Sequence, residues 1–243
     1  MKNVAHGPQS GESGAEVLGT VRVPDRGPER GLDSQVKRDT QAWLEQAVIG
    51  LNLCPFAKKV WREGLVRWSV YAGDSTHEAL EVLAQEIQRL AASALAPPEP
   101  STAPEGPSTR GALLSPAQGL EQTTLLILPR LCADFWDFLS LVQSAQRVLK
   151  ANKCVGVLQI AHFHPAYQFA HTQESDPENY INRSPYPTLH LLRERDIEWA
   201  AQTHPDVSAI YQHNVLRMNE LGHAGWAQLG LPKSGVDALK GRD

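Results

Sequence analysis

Three clusters of side chains in this chain have the types and spacing to do chemistry. The first is GLNLCPFAKKVW, residues 50–61. Pro55 carries the fixed φ suited to the first position of a helix, which makes Cys54 the expected N-cap of a helix over 55–62. A thiol there faces unpaired backbone amides, and Lys58 and Lys59 add positive potential, so the thiolate becomes available as a nucleophile or metal ligand. The competing reading is inert packing between Leu53 and Phe56, because free cysteine is among the most buried residue types. Asn52 and Lys58 are this segment's candidates for contacting a substrate.

The second cluster is VGVLQIAHFHPAYQFA, residues 155–170, where an apolar strand ends in His162 and His164. Apolar residues on both alternation parities predict a central strand covered on both faces. Two imidazoles two residues apart on extended chain point to one side, a two-ligand start for zinc, iron or manganese, or a source of a general base. A divalent transition metal needs at least one more ligand, and His171, Asp176, His190 and Cys54 are available, but spacing selects none of them. The simpler alternative is that both rings hydrogen-bond the loop around Pro165 and Tyr167.

The third cluster is DPENYINRSPYP, residues 176–187, with HLLRE following it. Asn179, Asn182, Arg183 and Ser184, joined by His190 and Arg193, are the groups that recognise anions, since a guanidinium matches the planar fork of a carboxylate or phosphate. Pro185 and Pro187 hold Ser184 and Tyr186 extended and make the loop rigid. As a purely structural turn, the same loop would pair Arg183 with Asp176 or Glu178.

The elements that must position these groups follow from periodicity. Helices are expected over 35–49, with Ser34 as N-cap and Gly50 as stop, then over 75–95, 134–150, 196–203 and 205–221, the last ended by Gly222 and opened by His204, Pro205 and Asp206. Strands are expected over 65–71, 123–131, 155–163 and 188–192. The order β-α-β-α-β-β-α, preceded by helices, implies an α/β or α+β fold: a single layered domain over 34–230 with a mixed four-stranded sheet and helices packed on it. Ligands of such sheets collect outside the carboxyl ends of the strands, where His162 and His164 fall. Asn214 shares a helical stripe with Ile210, Tyr211 and Met218 and reads as a core hydrogen-bonding amide.

With 243 residues, 42% of them hydrophobic, the chain can bury a sizeable core. Residues 1–33, rich in Gly, Pro and charge, read as a disordered leader, 96–119 as a Pro-rich disordered excursion, and 231–243 as a loose tail. Twenty-three basic against 27 acidic residues, without a dense basic run, argue against a nucleic-acid partner. Three scattered cysteines make neither a disulfide framework nor a CxxC zinc site. Without a secretory signal or a bilayer-spanning apolar run, the expectation is a cytoplasmic protein with no membrane partner.

The segments GLNLCPFAKKV, HFHPAYQFA, ENYINRSPYPTLHLLRE and THPDVSAIYQHNVLRMNELG together resemble the bacterial family known as domain of unknown function 1415, over most of 35–222. The resemblance implies no activity, substrate or cofactor. From the residues alone, the expected function is an enzyme acting on a small anionic metabolite. Cys54 would be the nucleophile, His162 or His164 the base or metal ligand, and Arg183 the residue that orients the substrate. The alternative is a non-catalytic anion-binding or redox-sensing module.

Overall fold

The computed structural model describes residues 27–95, 122–203 and 208–232. The leader up to residue 26, the excursion, the helix-start signal at His204, Pro205 and Asp206, and the tail from residue 233 lie outside the described residues. Helix α1 (Gly27–Trp43) runs directly into a π-helical turn, Leu44–Ile49, followed by the short α2 (Ala57–Arg62). Then come β1 (Val66–Val70), α3 (Thr76–Leu95), β2 (Thr123–Ile127), α4 (Phe135–Ala151) and β3 (Leu158–Phe163). A 3-10 segment, Pro177–Asn182, leads to β4 (Thr188–Arg193), α5 (Glu194–Thr203) and α6 (Ser208–Gln228).

The four strands form one mixed sheet in the order β1-β2-β4-β3. β1 and β2 are parallel, whereas β4 is antiparallel to both of its neighbours, β2 and β3. Strands β1, β2 and β3 therefore share a direction, and a reversed strand separates the last two. This corrects the expectation of a central strand at 155–163: β3 lies at the sheet edge, because the next strand in sequence inserts on its inner side. It is also shorter than expected. Gly156 adopts φ +80°, and Val155 is left 67% exposed ahead of the strand proper.

Helices cover both faces of the sheet. On one face Leu126, Leu158, Ile160, Leu189 and Leu191 pack against Leu83 and Ile87 of α3 and Phe138, Leu141 and Ala145 of α4. On the other, Leu125 and Ile127 meet Val36 of α1 and Tyr186, and Trp68 and Phe163 meet Trp43, Leu44 and Ala47. β2 is buried along its whole length, Thr123 and Thr124 included, as a central strand covered on both faces requires. Asp134 starts α4 by accepting the Trp136 and Asp137 amides on Oδ1 at 2.8 and 3.1 Å.

The helix expected over 35–49 begins earlier, at Gly27, so Ser34 lies inside it and is not its cap. Its end is widened: Gly50 N–H and Leu53 N–H reach back five residues to the Glu45 and Val48 carbonyls, both at 2.9 Å. Gly50 is needed there because a Cβ would collide with the Gln46 carbonyl. Asn52 closes the turn at φ +56°, a left-handed position that asparagine tolerates. Three polar ties lock the layers. The Arg67 guanidinium of β1 binds Glu86 of α3 in a fork at 2.6 and 2.9 Å. The Tyr186 hydroxyl donates to Asp39 of α1 at 2.7 Å. The Asn214 amide of α6 donates to the Leu53 carbonyl at 2.8 Å, the core role its helical stripe implied.

Phe138 has no solvent-exposed surface and fills the space between α4 and the end of β3. Phe138→Ala is expected to cost about 3–5 kcal/mol of unfolding free energy in urea titrations. A loss under about 1 kcal/mol would mean the core closes over the gap.

Candidate functional site

Phe163, the last residue of β3, pairs with Thr188, the first of β4. Everything between them, residues 164–187, is thus one loop pinned at its base to the carboxyl end of the sheet. Asn179 organises it. Its side-chain oxygen accepts from the Phe169 N–H at 3.0 Å and the Thr172 hydroxyl at 2.8 Å, and its amide donates to the Gln173 carbonyl at 2.7 Å. With no exposed surface and these partners, Asn179 holds the loop together and does not offer itself to a ligand. Ser184 is likewise turned inward, its hydroxyl donating to the Tyr186 carbonyl at 2.6 Å. Asn182 is used locally too, its carbonyl accepting the His164 N–H at 3.2 Å and its side chain bonding Tyr167.

His162 and His164 do fall on one face, both against the Phe138 ring, at centroid distances of 6.1 and 5.0 Å. They are not a ligand pair. His164 Nδ1 accepts from the Ala166 N–H at 3.0 Å, so the ring proton sits on Nε2, which donates to the Cys132 carbonyl at 2.8 Å. Both nitrogens of this fully buried ring are used by backbone, and burial lowers its pKa. The bond also fixes Cys132 at φ +54°. His162 is half-buried, between Phe138 and Tyr167, and burial lowers its pKa as well. The remaining metal candidates are dispersed. His190 lies on the opposite face of the sheet, next to Phe163, with Nε2 2.6 Å from the Thr123 hydroxyl. That hydroxyl donates to the Leu191 carbonyl, so it accepts the His190 proton. Asp176 accepts the Gln173 N–H at the start of the 3-10 segment, and His171 sits at the surface beside Glu178. Among the described residues no three His, Cys, Asp or Glu side chains converge on a possible metal position.

Cys54 also departs from expectation. Helix α2 starts two residues later than Pro55 suggested, with Phe56 as its N-cap. The Phe56 and Ala57 amides do favour the thiolate, but desolvation outweighs them and pushes the Cys54 pKa up, not down. Lys58 is exposed on α2, and Lys59 stands 5.2 Å over the Trp199 ring of α5. Arg193 is at the far end of β4 from Thr188, buried and paired with Asp196, which removes it from the anion-binding set.

What the loop does build is a cleft of about 340 Å³. Pro165, Tyr180, Arg183, Ser184 and Pro185 of the loop line it, together with Trp43, Trp226, Ala227, Leu231 and Pro232. Gly222, at φ +59° and ψ −175°, breaks α6 so that its last turns swing across the loop. The Trp226 ring then stacks on Tyr180 at 4.5 Å, and the Tyr180 hydroxyl meets His223 Nδ1 at 2.8 Å. Arg183 donates from Nε to the Tyr167 carbonyl at 3.1 Å and from Nη2 to the Glu174 carbonyl at 2.8 Å, and its guanidinium lies 5.1 Å from the Tyr180 ring centre. It forms no ion pair among the described residues; the expected carboxylates are taken up elsewhere, Asp176 by backbone and Glu178 beside His171. Of the expected site residues, Arg183 and Ser184 line this cleft, whereas Cys54, Asn52, Lys58, His162, His164, His190 and Arg193 do not. Trp43, Tyr180 and Trp226 were not anticipated. Tyr180 lies inside the Arg183 loop and Trp226 follows Gly222, and those positions are the only sequence signal for them; Trp43 carried none.

The profile of a family described as "protein of unknown function", DUF1415, matches residues 35–102 and 112–228. The motif resemblance therefore holds across most of the chain. No curated protein and no solved structure matches it. Among the described residues no helix is long and apolar enough to cross a membrane.

Two outcomes follow from the buried groups. Burial lowers the His190 pKa to about 4, so the folded chain keeps this ring neutral. Between the unfolded value near 6.5 and that folded value, the unfolded chain takes up a proton that the folded chain refuses. Stability present above about pH 6.5 is therefore lost on acidification, at up to roughly 1.4 kcal/mol per pH unit for such a ring. Urea titrations of His190→Asn between pH 7 and pH 5 should show a shallower loss than the wild type; equal slopes would mean that this ring is protonated in the fold. For Cys54, site-resolved mass spectrometry of iodoacetamide alkylation at neutral pH should show labelling at least about tenfold slower than a free thiol. Labelling as fast as glutathione would restore the reactive-thiolate reading.

Proposed function

We propose that this chain, which belongs to the DUF1415 family, binds a small organic anion in the cleft between the 164–187 loop and the end of α6, with Arg183 as the anchor. The observation that carries the proposal is the state of that guanidinium. It is half-buried and stays charged, and burial opposes its charge. Two backbone carbonyls and Tyr180 are its contact partners, and the Glu174 carboxylate supports its charge only from beyond ion-pair distance. A cation kept partly out of water with no carboxylate in direct contact is costly, and a bound anion offsets that cost with charge-assisted hydrogen bonds. The walls fit the same reading, because ligand clefts combine mostly apolar lining with a few fixed polar groups.

Binding is favoured over catalysis because the groups that would act as nucleophile and base do not line the cleft. Cys54 is held as a thiol by burial, and His164 spends both nitrogens on backbone. The chain is thus read as an anion-binding module, the partner being a small molecule.

The test is calorimetric titration of the full chain with acetate, benzoate, indole-3-acetate and inorganic phosphate, repeated on Arg183→Gln. At least one anion should bind the wild type, and the substitution should weaken it by roughly 10- to 100-fold, as losing a charged hydrogen-bond partner does. Thermal melting of the variant separates lost binding from lost folding. Unchanged affinity in folded Arg183→Gln, or no binding by any of the four anions, would overturn the proposal.

A further inference from the structure

We infer that the anion this cleft takes is a planar aromatic monoanion, an aromatic carboxylate in particular, and that Trp226 is the residue that selects the ring. The inference rests on the reading of Arg183 as anchor and adds what lies next to it.

The charge of the ligand follows from the lining. Arg183 is the single cationic side chain among the lining residues, and Ser184 donates its hydroxyl proton to the Tyr186 carbonyl. A ligand with one negative charge is matched by this wall. A phosphate monoester or diphosphate would bring further charge into a space otherwise bounded by indole, phenol, proline and aliphatic surface. The volume, about 340 Å³, lies at the low end for organic ligands, which fits one or two fused rings and one acidic group.

The shape follows from the aromatic walls. Tyr180 and Trp226 stack nearly parallel, 13° apart, and Arg183 lies over the Tyr180 ring, so a cation and two π-systems stand in contact within the lining. Trp43, fixed edge-on to Phe163 at 5.2 Å, adds a third aromatic ring to the lining. A flat ring inserted beside them gains offset or edge contacts that a puckered aliphatic ring of equal size does not. Proline rings at Pro165, Pro185 and Pro232 give rigid sides that lose little entropy when a ligand enters.

Trp226 reaches this position only because of the break in α6. Gly222 at φ +59° redirects the chain, and the His223–Tyr180 hydrogen bond with the Trp226–Tyr180 stack ties the redirected turn to the loop that carries Arg183. Anchor and selecting ring are therefore held by the same tyrosine. Gly222→Ala would be strained at that backbone angle, so Trp226 itself is the cleaner handle.

The experiment compares benzoate with cyclohexanecarboxylate, and indole-3-carboxylate with acetate, by calorimetry and by quenching of tryptophan fluorescence. It uses the full chain and the variants Trp226→Leu and Arg183→Gln. Wild type should bind benzoate roughly 3- to 10-fold more tightly than cyclohexanecarboxylate. Trp226→Leu should weaken benzoate more than cyclohexanecarboxylate and bring that ratio near one, and Arg183→Gln should weaken both acids together. Equal binding of the flat and puckered acids by wild type, still dependent on Arg183, would overturn the aromatic selection and leave the anion anchor standing. A ratio unchanged by Trp226→Leu would remove this residue as the selector. If none of the four acids binds, both readings fall together.

Discussion

The reversed strand β4 is the constraint on which the rest of the structure depends. Because it lies antiparallel between β2 and β3, the chain that leaves β3 at Phe163 must return to the sheet beside the same residue, at Thr188. A connection between adjacent antiparallel strands needs only a few residues. Here it has 164–187, far more than closure demands, and the surplus folds over the carboxyl end of the sheet as a loop with its own interior. That interior is polar, filled by Asn179, Thr172 and the inner carbonyls, so it is held by hydrogen bonds and not by a second apolar core. Every bond lost there leaves a buried group unmet, which gives the loop one well-defined shape.

His164 and Cys54 show the same contest with the same winner. For each, the sequence places a reactive group beside features that could activate it, and in each, burial decides. The amides near Cys54 favour a thiolate, yet removing sulfur from water costs more than those two bonds return. At His164 the ring is locked as the neutral tautomer with the proton on Nε2, stacked on Phe138 and spent on joining the β2–α4 turn to the loop. His164 thereby supports the end of the sheet from which the loop starts, and neither His164 nor Cys54 lines the cleft.

Much of this fold was legible in the sequence because its elements carry strong periodic signals. α3 begins one residue from its expected start, and β4 ends one residue beyond its expected last residue, at Arg193. The mixed four-stranded sheet followed from the element order. Strand order was not legible: alternation reports that both faces of 158–163 are covered, but says nothing of which strand lies at the edge, and a reversed insertion leaves no local mark. That Arg183 and Ser184 lie at an opening was legible from the donor-rich composition of their loop and its two prolines. Its partner wall was not, because the kink at Gly222 looks in sequence like the end of a helix. A glycine stop and a glycine bend differ only in what the following residues pack against, and Trp226 finds Tyr180, over forty residues away in the chain.

That pairing explains why the cation sits where it does. An arginine in a loop ordinarily meets a carboxylate from its own segment, and both Asp176 and Glu178 are near enough in sequence to Arg183 to serve. The 3-10 turn prevents it. Asp176 is drawn to the Gln173 amide at the start of the turn, and Glu178 is directed to His171. Arg183, just past the turn's end, is left with carbonyls and the Tyr180 face. Carbonyl oxygens orient a guanidinium without pairing its charge, so the local backbone geometry fixes Arg183 and leaves Glu174 to support that charge from a distance. A loop evolved only for stability would gain by letting either acid close on the arginine. Instead, with Glu174 acting only from a distance, the guanidinium stays at the wall of the aromatic cleft with no carboxylate in contact.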